Sequence, residues 1–111
     1  MSDQDPLDLA GIEAEQFIES RKAALAALLT SLGDDSVETR EEAAKILDIS
    51  AKILAGRLKG EDVSFSEQAL KALKSNLKSI ASADVQRTTL AFVEDSLIQL
   101  ATTVGRIILL I

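Results

Sequence analysis

Ile80-Ala81-Ser82-Ala83-Asp84-Val85 is the stretch on which the fold turns. It holds no Gly and no Pro, so the backbone chemistry alone permits a helix to run straight through it. Two features predict a break. Asp84 is a suitable N-cap, able to accept the orphan N–H groups of a new helix. The apolar rows on either side also run out of phase. Leu70, Leu73, Leu77 and Ile80 form one stripe, and Phe92, Val93, Leu97, Leu100, Val104, Ile107 and Ile111 form another. With the break the chain has four helices. Without it, the third and fourth fuse and three long helices result.

Upstream of the joint, the third helix is expected over about 66–81. Ser66 offers a cap, and Phe65 to Leu70 has the spacing of a hydrophobic staple. Lys71, Lys74 and Lys78 occupy a face of their own. Gly60 to Phe65 reads as a loop, and Gly60 as the stop of a second helix over about 36–59. That helix carries Ala43, Ala44, Ile46, Leu47, Ile49, Ala51, Ile53, Leu54 and Leu58, an arc wide enough for two neighbours. Gly56 weakens its last turn by about 1 kcal/mol relative to Ala. Its start has two capping-box candidates, Asp35 with Glu38 and Thr39 with Glu42.

The first helix is expected over about 6–32, roughly 40 Å at ~1.5 Å per residue. Asp5 fits the N-cap, Pro6 the first helical position, and Asp8 the positive end of the dipole. One apolar row runs Leu7, Ala14, Leu28 with Arg21 interrupting it. The next runs Ile18, Leu25, Leu32, and Gly33 ends the helix. The fourth helix extends from about 84 to 110. No β-type alternation occurs over a useful length. The expected fold is therefore all-α, a four-helix up-down-up-down bundle in one domain, 1–111. Helix 3 is the short one, and the overhanging ends of helices 1 and 4 are where intermolecular contacts are expected. The echo between Ala24–Leu28 with Leu32 and Ala69–Leu73 with Leu77 is what any two Leu/Ala amphipathic helices show, and it implies no duplication.

Composition narrows the function. The chain has no Cys, His, Trp or Tyr and three Phe. Disulfides, thiolate metal sites and the commonest general base and transition-metal ligand are thereby excluded. A pI of about 4.6 opposes nucleic-acid binding. Ser96 to Ile111 is too short to span a bilayer and is interrupted by Gln99 and Arg106, so membrane insertion is not expected. The acidic N-terminus lacks the features of a cleavable signal peptide, which points to the cytoplasm or to a place inside a macromolecular assembly.

Catalytic motifs are weak. Glu38, Glu41 and Glu42 cluster on a first helical turn, where they read as dipole partners rather than as a cation site. The Asp3-to-Asp8 segment lacks the Gly and Glu of a calcium loop, and Pro6 obstructs the turn. Ser75 and Lys78 lie a turn apart, but such surface pairs are ordinarily inert. Residues 56–60 lack the spacing of a phosphate loop. No cofactor, metal or catalytic residue is expected.

The charges are more informative. Asp3, Asp5, Asp8, Glu13, Glu15 and Glu19 all precede the first basic residue, Arg21, and account for the net charge of -6. The Asp8/Glu15/Glu19 face complements the Lys71/Lys74/Lys78 stripe, within one chain or between two. Arg21 and Arg106 stand among apolar residues. Each either snorkels to water or meets a carboxylate, for example Glu94, Asp95 or one from a neighbouring subunit. Finally, Ile107-Ile108-Leu109-Leu110-Ile111 is apolar around a full helical circumference, which one core cannot cover. These features point to a non-enzymatic assembly protein, a subunit of a multi-copy complex such as a virion or secretion machine, expected to be a homo-oligomer with itself or other subunits as partners. The alternative is a small adaptor or chaperone-like protein that binds a partner helix in a groove.

Overall fold

The structure is a computed structural model that describes the backbone of residues 6–109 and the side chains of residues 12–103. The described residues form helices α1 (Pro6–Ser31), α2 (Val37–Leu58), α3 (Ser64–Ile80) and α4 (Ala83–Leu109), with no strand. The break near residue 82 is real, so the three-helix alternative is set aside. Helix lengths follow the expected order: 26, 22, 17 and 27 residues.

Both glycine stops are Schellman turns. Gly33 has φ 88° and Gly60 φ 73°. Asp34 N–H donates to the Leu29 carbonyl and Gly33 N–H to that of Thr30; Glu61 and Gly60 repeat the pattern onto Gly56 and Arg57. Because Gly33 closes the helix, Leu32 falls beyond the last turn and is 44% exposed, contrary to its expected place in the core row. Leu29, fully buried, takes that place.

The helix starts differ from expectation because other nearby polar side chains reach the orphan N–H groups: Ser36 rather than Asp35, Asp62 rather than Ser66, and Ser82 rather than Asp84. Ser36 caps α2, its Oγ accepting from Thr39 N–H at 3.3 Å, which displaces both capping-box candidates. Asp62 accepts from the Ser64 backbone N–H at 3.0 Å and from its hydroxyl at 2.6 Å. Those bonds hold the Asp62 carboxyl below its usual range, the hydroxyl bond contributing most. They start α3 at Ser64, so Ser66 is no cap, and Phe65 is 85% exposed rather than stapled to Leu70. At the joint Ser82, not Asp84, caps α4, accepting from Val85 N–H at 3.2 Å. Gln86 then reaches back to the carbonyls of Ala81 and Lys78 at 2.8 and 3.3 Å, which satisfies the end of α3. Asp84 instead pairs with Arg87. The Asp5 cap lies outside the described residues.

Two contiguous clusters make the core. Ile18, Ile46, Leu47, Leu77, Val93 and Leu100 form the larger, and Leu25, Leu29, Ala43 and Val85 the smaller. Helix α2 contacts α1, α3 and α4, one neighbour more than its apolar arc implied. The α1 and α3 backbones do not approach one another, while α4 leans onto both α1 and α2. Helix α3 rests chiefly on α2 and makes the sparsest contact of all with α4. The bundle is thus a compressed rhombus, with its α3–α4 edge splayed open.

Gly56 has a packing role. A Cβ there would stand 2.6 Å from Val63 Cγ1, and Val63 is stiff at χ1 as well as sitting at the N-cap position of α3. Gly56→Ala is expected to lose about 1 kcal/mol net, because an overpacking penalty of ~1–3 kcal/mol outweighs a propensity gain of ~1 kcal/mol. Urea unfolding checks it, and adding Val63→Ala should recover the loss. A rise in stability for Gly56→Ala alone would mean that Val63 moves aside freely.

Candidate functional site

The splayed edge leaves an open groove of about 700 Å³ between α3 and α4. Its floor is the α2 face bearing Ser50 and Ile53. Leu70 lines one wall, and Leu90, Val93 and Leu97 line the other. The rim is charged, with Arg57, Glu67, Lys71 and Lys74 on one side and Glu94 on the other. Arg57 and Glu67 pair with each other at 3.4 Å. Leu90 is 38% exposed, and Ile98, one turn beyond Glu94, is 62% exposed. The groove is therefore an apolar trough whose lip extends onto the outer face of α4.

Lys71 and Lys74 fall on this rim. Lys78 continues the same stripe toward the joint, outside the groove lining. Among the described residues none of the three makes an ion pair. Glu15 and Glu19 are exposed on α1, and Glu19 pairs only with Lys22 of its own helix at 3.4 Å. Among the described residues α1 does not approach α3, and neither Glu15 nor Glu19 meets the lysine stripe within one chain. Asp8, Arg106 and the side chains of Ile107, Ile108, Leu109, Leu110 and Ile111 lie outside the described residues.

Arg21 lies between α1 and α4, about one-fifth exposed, and it meets a carboxylate. Its Nη2 is 3.2 Å from Asp95 Oδ2, its Nε donates to Ser96 Oγ at 2.9 Å, and its guanidinium stands 4.1 Å from the Phe92 ring centroid. Ser96 Oγ donates onward to the Phe92 carbonyl at 2.7 Å. Asp95, of the two acidic candidates, is therefore the partner. Nearby, Lys22 bridges α1 to α2 through Asp48 at 2.8 Å. That hydrogen bond, more than any other effect, raises the Lys22 pKa. A raised cationic pKa contributes stability that is present through neutral pH and lost only as alkali titrates the folded state.

Among the described residues no three metal-capable side chains converge. Ser75 and Lys78 are both exposed and share no hydrogen bond, and Glu42 pairs with Lys45 at 3.5 Å. No helix among them is long and apolar enough to cross a membrane. The groove itself was legible only in part. Leu90 falls outside the expected core stripe of α4, while Leu97 belongs to it and packs against the larger core cluster. Leu90, apolar but off the stripe, was the available signal for a surface beside the core. Comparisons with protein-family models, curated proteins and solved structures give no match.

Proposed function

We propose that this chain is a non-enzymatic docking protein, a small helical adaptor that receives an amphipathic partner helix in the α3–α4 groove. The observation that carries this reading is the trough of Leu70, Leu90, Val93 and Leu97, rimmed by Lys71 and Lys74, which make no ion pair among the described residues. It matches the helix-in-groove mode, in which an apolar face supplies affinity and rim charges choose the partner. The test is a titration of the purified chain with helical peptides that share one apolar face and differ in charge, read by amide chemical shifts. Acidic peptides should shift residues 67–74 and 90–97 selectively, and Leu90→Glu should weaken the effect at least about tenfold, roughly 1.4 kcal/mol. Shifts spread evenly over the surface, or confined to another face, would overturn it.

A second reading, a subunit of a multi-copy assembly docking through its C-terminal segment, has one specific support. The α4 backbone is helical to Leu109, so Ile107, Ile108 and Leu109 lie on a helix rather than a loop. A five-residue apolar run in the sequence is more than one face of a helix can hold, and such excess apolar surface ordinarily marks an interface. Deleting Ile107 to Ile111 is expected to lower the particle mass seen by light scattering while most helicity remains. Loss of the fold with no change of mass would assign the run to the chain's own core instead.

A further inference from the structure

We infer that the occupant of the groove is a second copy of this chain, presenting the anionic face of its α1. The inference rests on the groove reading above and adds the identity of the partner. Lys71, Lys74 and Lys78 lie exposed at i, i+3 and i+7 on α3 with no ion-pair partner among the described residues. The complementary charge exists in the same molecule but out of reach. Helix α1 carries all its acidic residues before its first cation, Arg21, and the α1 and α3 backbones do not approach. A second copy brings the two together.

The spacing agrees. Glu15 and Glu19 are one helical turn apart, as are Lys74 and Lys78. Ile12, 40% exposed, stands one turn ahead of Glu15 and supplies an apolar anchor beside the acidic row. The groove and the α1 face are different surfaces, so the contact is head-to-tail. Such contacts close into rings or continue as filaments. The charges fix register and accelerate encounter, and the apolar trough holds the helix, so association weakens as salt rises.

The full-length chain tests this by native mass spectrometry and light scattering over a concentration series at low and high salt. Wild type should self-associate, more weakly at high salt. Lys71→Glu/Lys74→Glu/Lys78→Glu and Glu15→Lys/Glu19→Lys should each lose self-association at least about tenfold, with circular-dichroism melting close to wild type because the sites are exposed. The corresponding Gln variants should lose less. An equimolar mixture of the two charge-reversed chains should associate again, since each then meets its complement. A mixture that stays monomeric while wild type associates overturns the inference. So does a wild type that is monomeric at every concentration, and if that monomer still takes up the acidic peptide, the groove reading stands without self-docking. Association abolished by Leu90→Glu yet indifferent to charge reversal keeps the groove and rejects α1 as its occupant. Association that survives Leu90→Glu rejects the groove as the contact.

Discussion

Leu77→Ala is expected to cost about 3 kcal/mol of folding stability, within the ~2–5 kcal/mol range for truncating a buried leucine. Leu77 is the one buried residue of α3, at 1% exposure, and it belongs to the larger core cluster. The rest of that helix is half-buried or exposed, so few other contacts remain to hold it. The loss should fall unevenly. Hydrogen exchange should accelerate most in α3, while α2, held by three neighbours, keeps more of its protection. Urea unfolding gives the global figure and exchange the distribution. A loss below ~1 kcal/mol would mean that the site collapses around the missing methyls.

Arg21 gives the second large effect, and two substitutions separate its causes. Arg21→Met should cost only about 1–2 kcal/mol. It removes a cation–π contact worth ~0.5–2 kcal/mol and an ion pair to a largely exposed carboxylate worth ~0–1 kcal/mol. The partners are not stranded. Asp95 still accepts from Gln99 at 2.7 Å, and Ser96 still donates to the Phe92 carbonyl. The ~3–5 kcal/mol penalty for orphaning a buried charge therefore applies to Arg21→Glu instead. That change sets a carboxylate against the electron-rich face of Phe92 and beside Asp95. Thermal melts at low and high salt check both, since salt relieves the repulsion from Asp95 but not the loss of the ring contact. Equal destabilisation by Met and Glu would show that the site responds to packing alone.

The residues show why some of this was readable in advance. Gly33 and Gly60 are legible because a left-handed turn has few chemical solutions. The apolar rows of α2 and α4 are legible because burial imposes a 3.6-residue period. Helix starts are less so. Asp, Ser and Thr are near-equal as caps, and the row Asp34-Asp35-Ser36 offers several within one turn. Only geometry chose the Ser36 and Ser82 caps over Asp35 and Asp84, and set an Asp62–Ser64 turn ahead of α3 in place of a Ser66 cap. The groove was the least readable feature. It depends on α3 leaning onto α2 rather than α4, and periodicity says which face is apolar without saying which neighbour covers it. Arg21 was visible as a misfit in its heptad row, but the choice of Asp95 over Glu94 required the rotation of α4 about its axis.

The pairing of α1 with α4 also sets an order of events during synthesis. Arg21 and Ser96, which join these helices, are 75 positions apart. Everything between them emerges from the ribosome first, so α2 and α3 can form their hairpin while α1 still lacks its lid. Until α4 arrives, Leu25 and Leu29 have Ala43 of α2 beside them but lack Val85, and the side that α4 covers faces water or a temporary substitute. A nascent chain halted before residue 83 should therefore bind a hydrophobic dye or a holdase chaperone, and release it once α4 is complete.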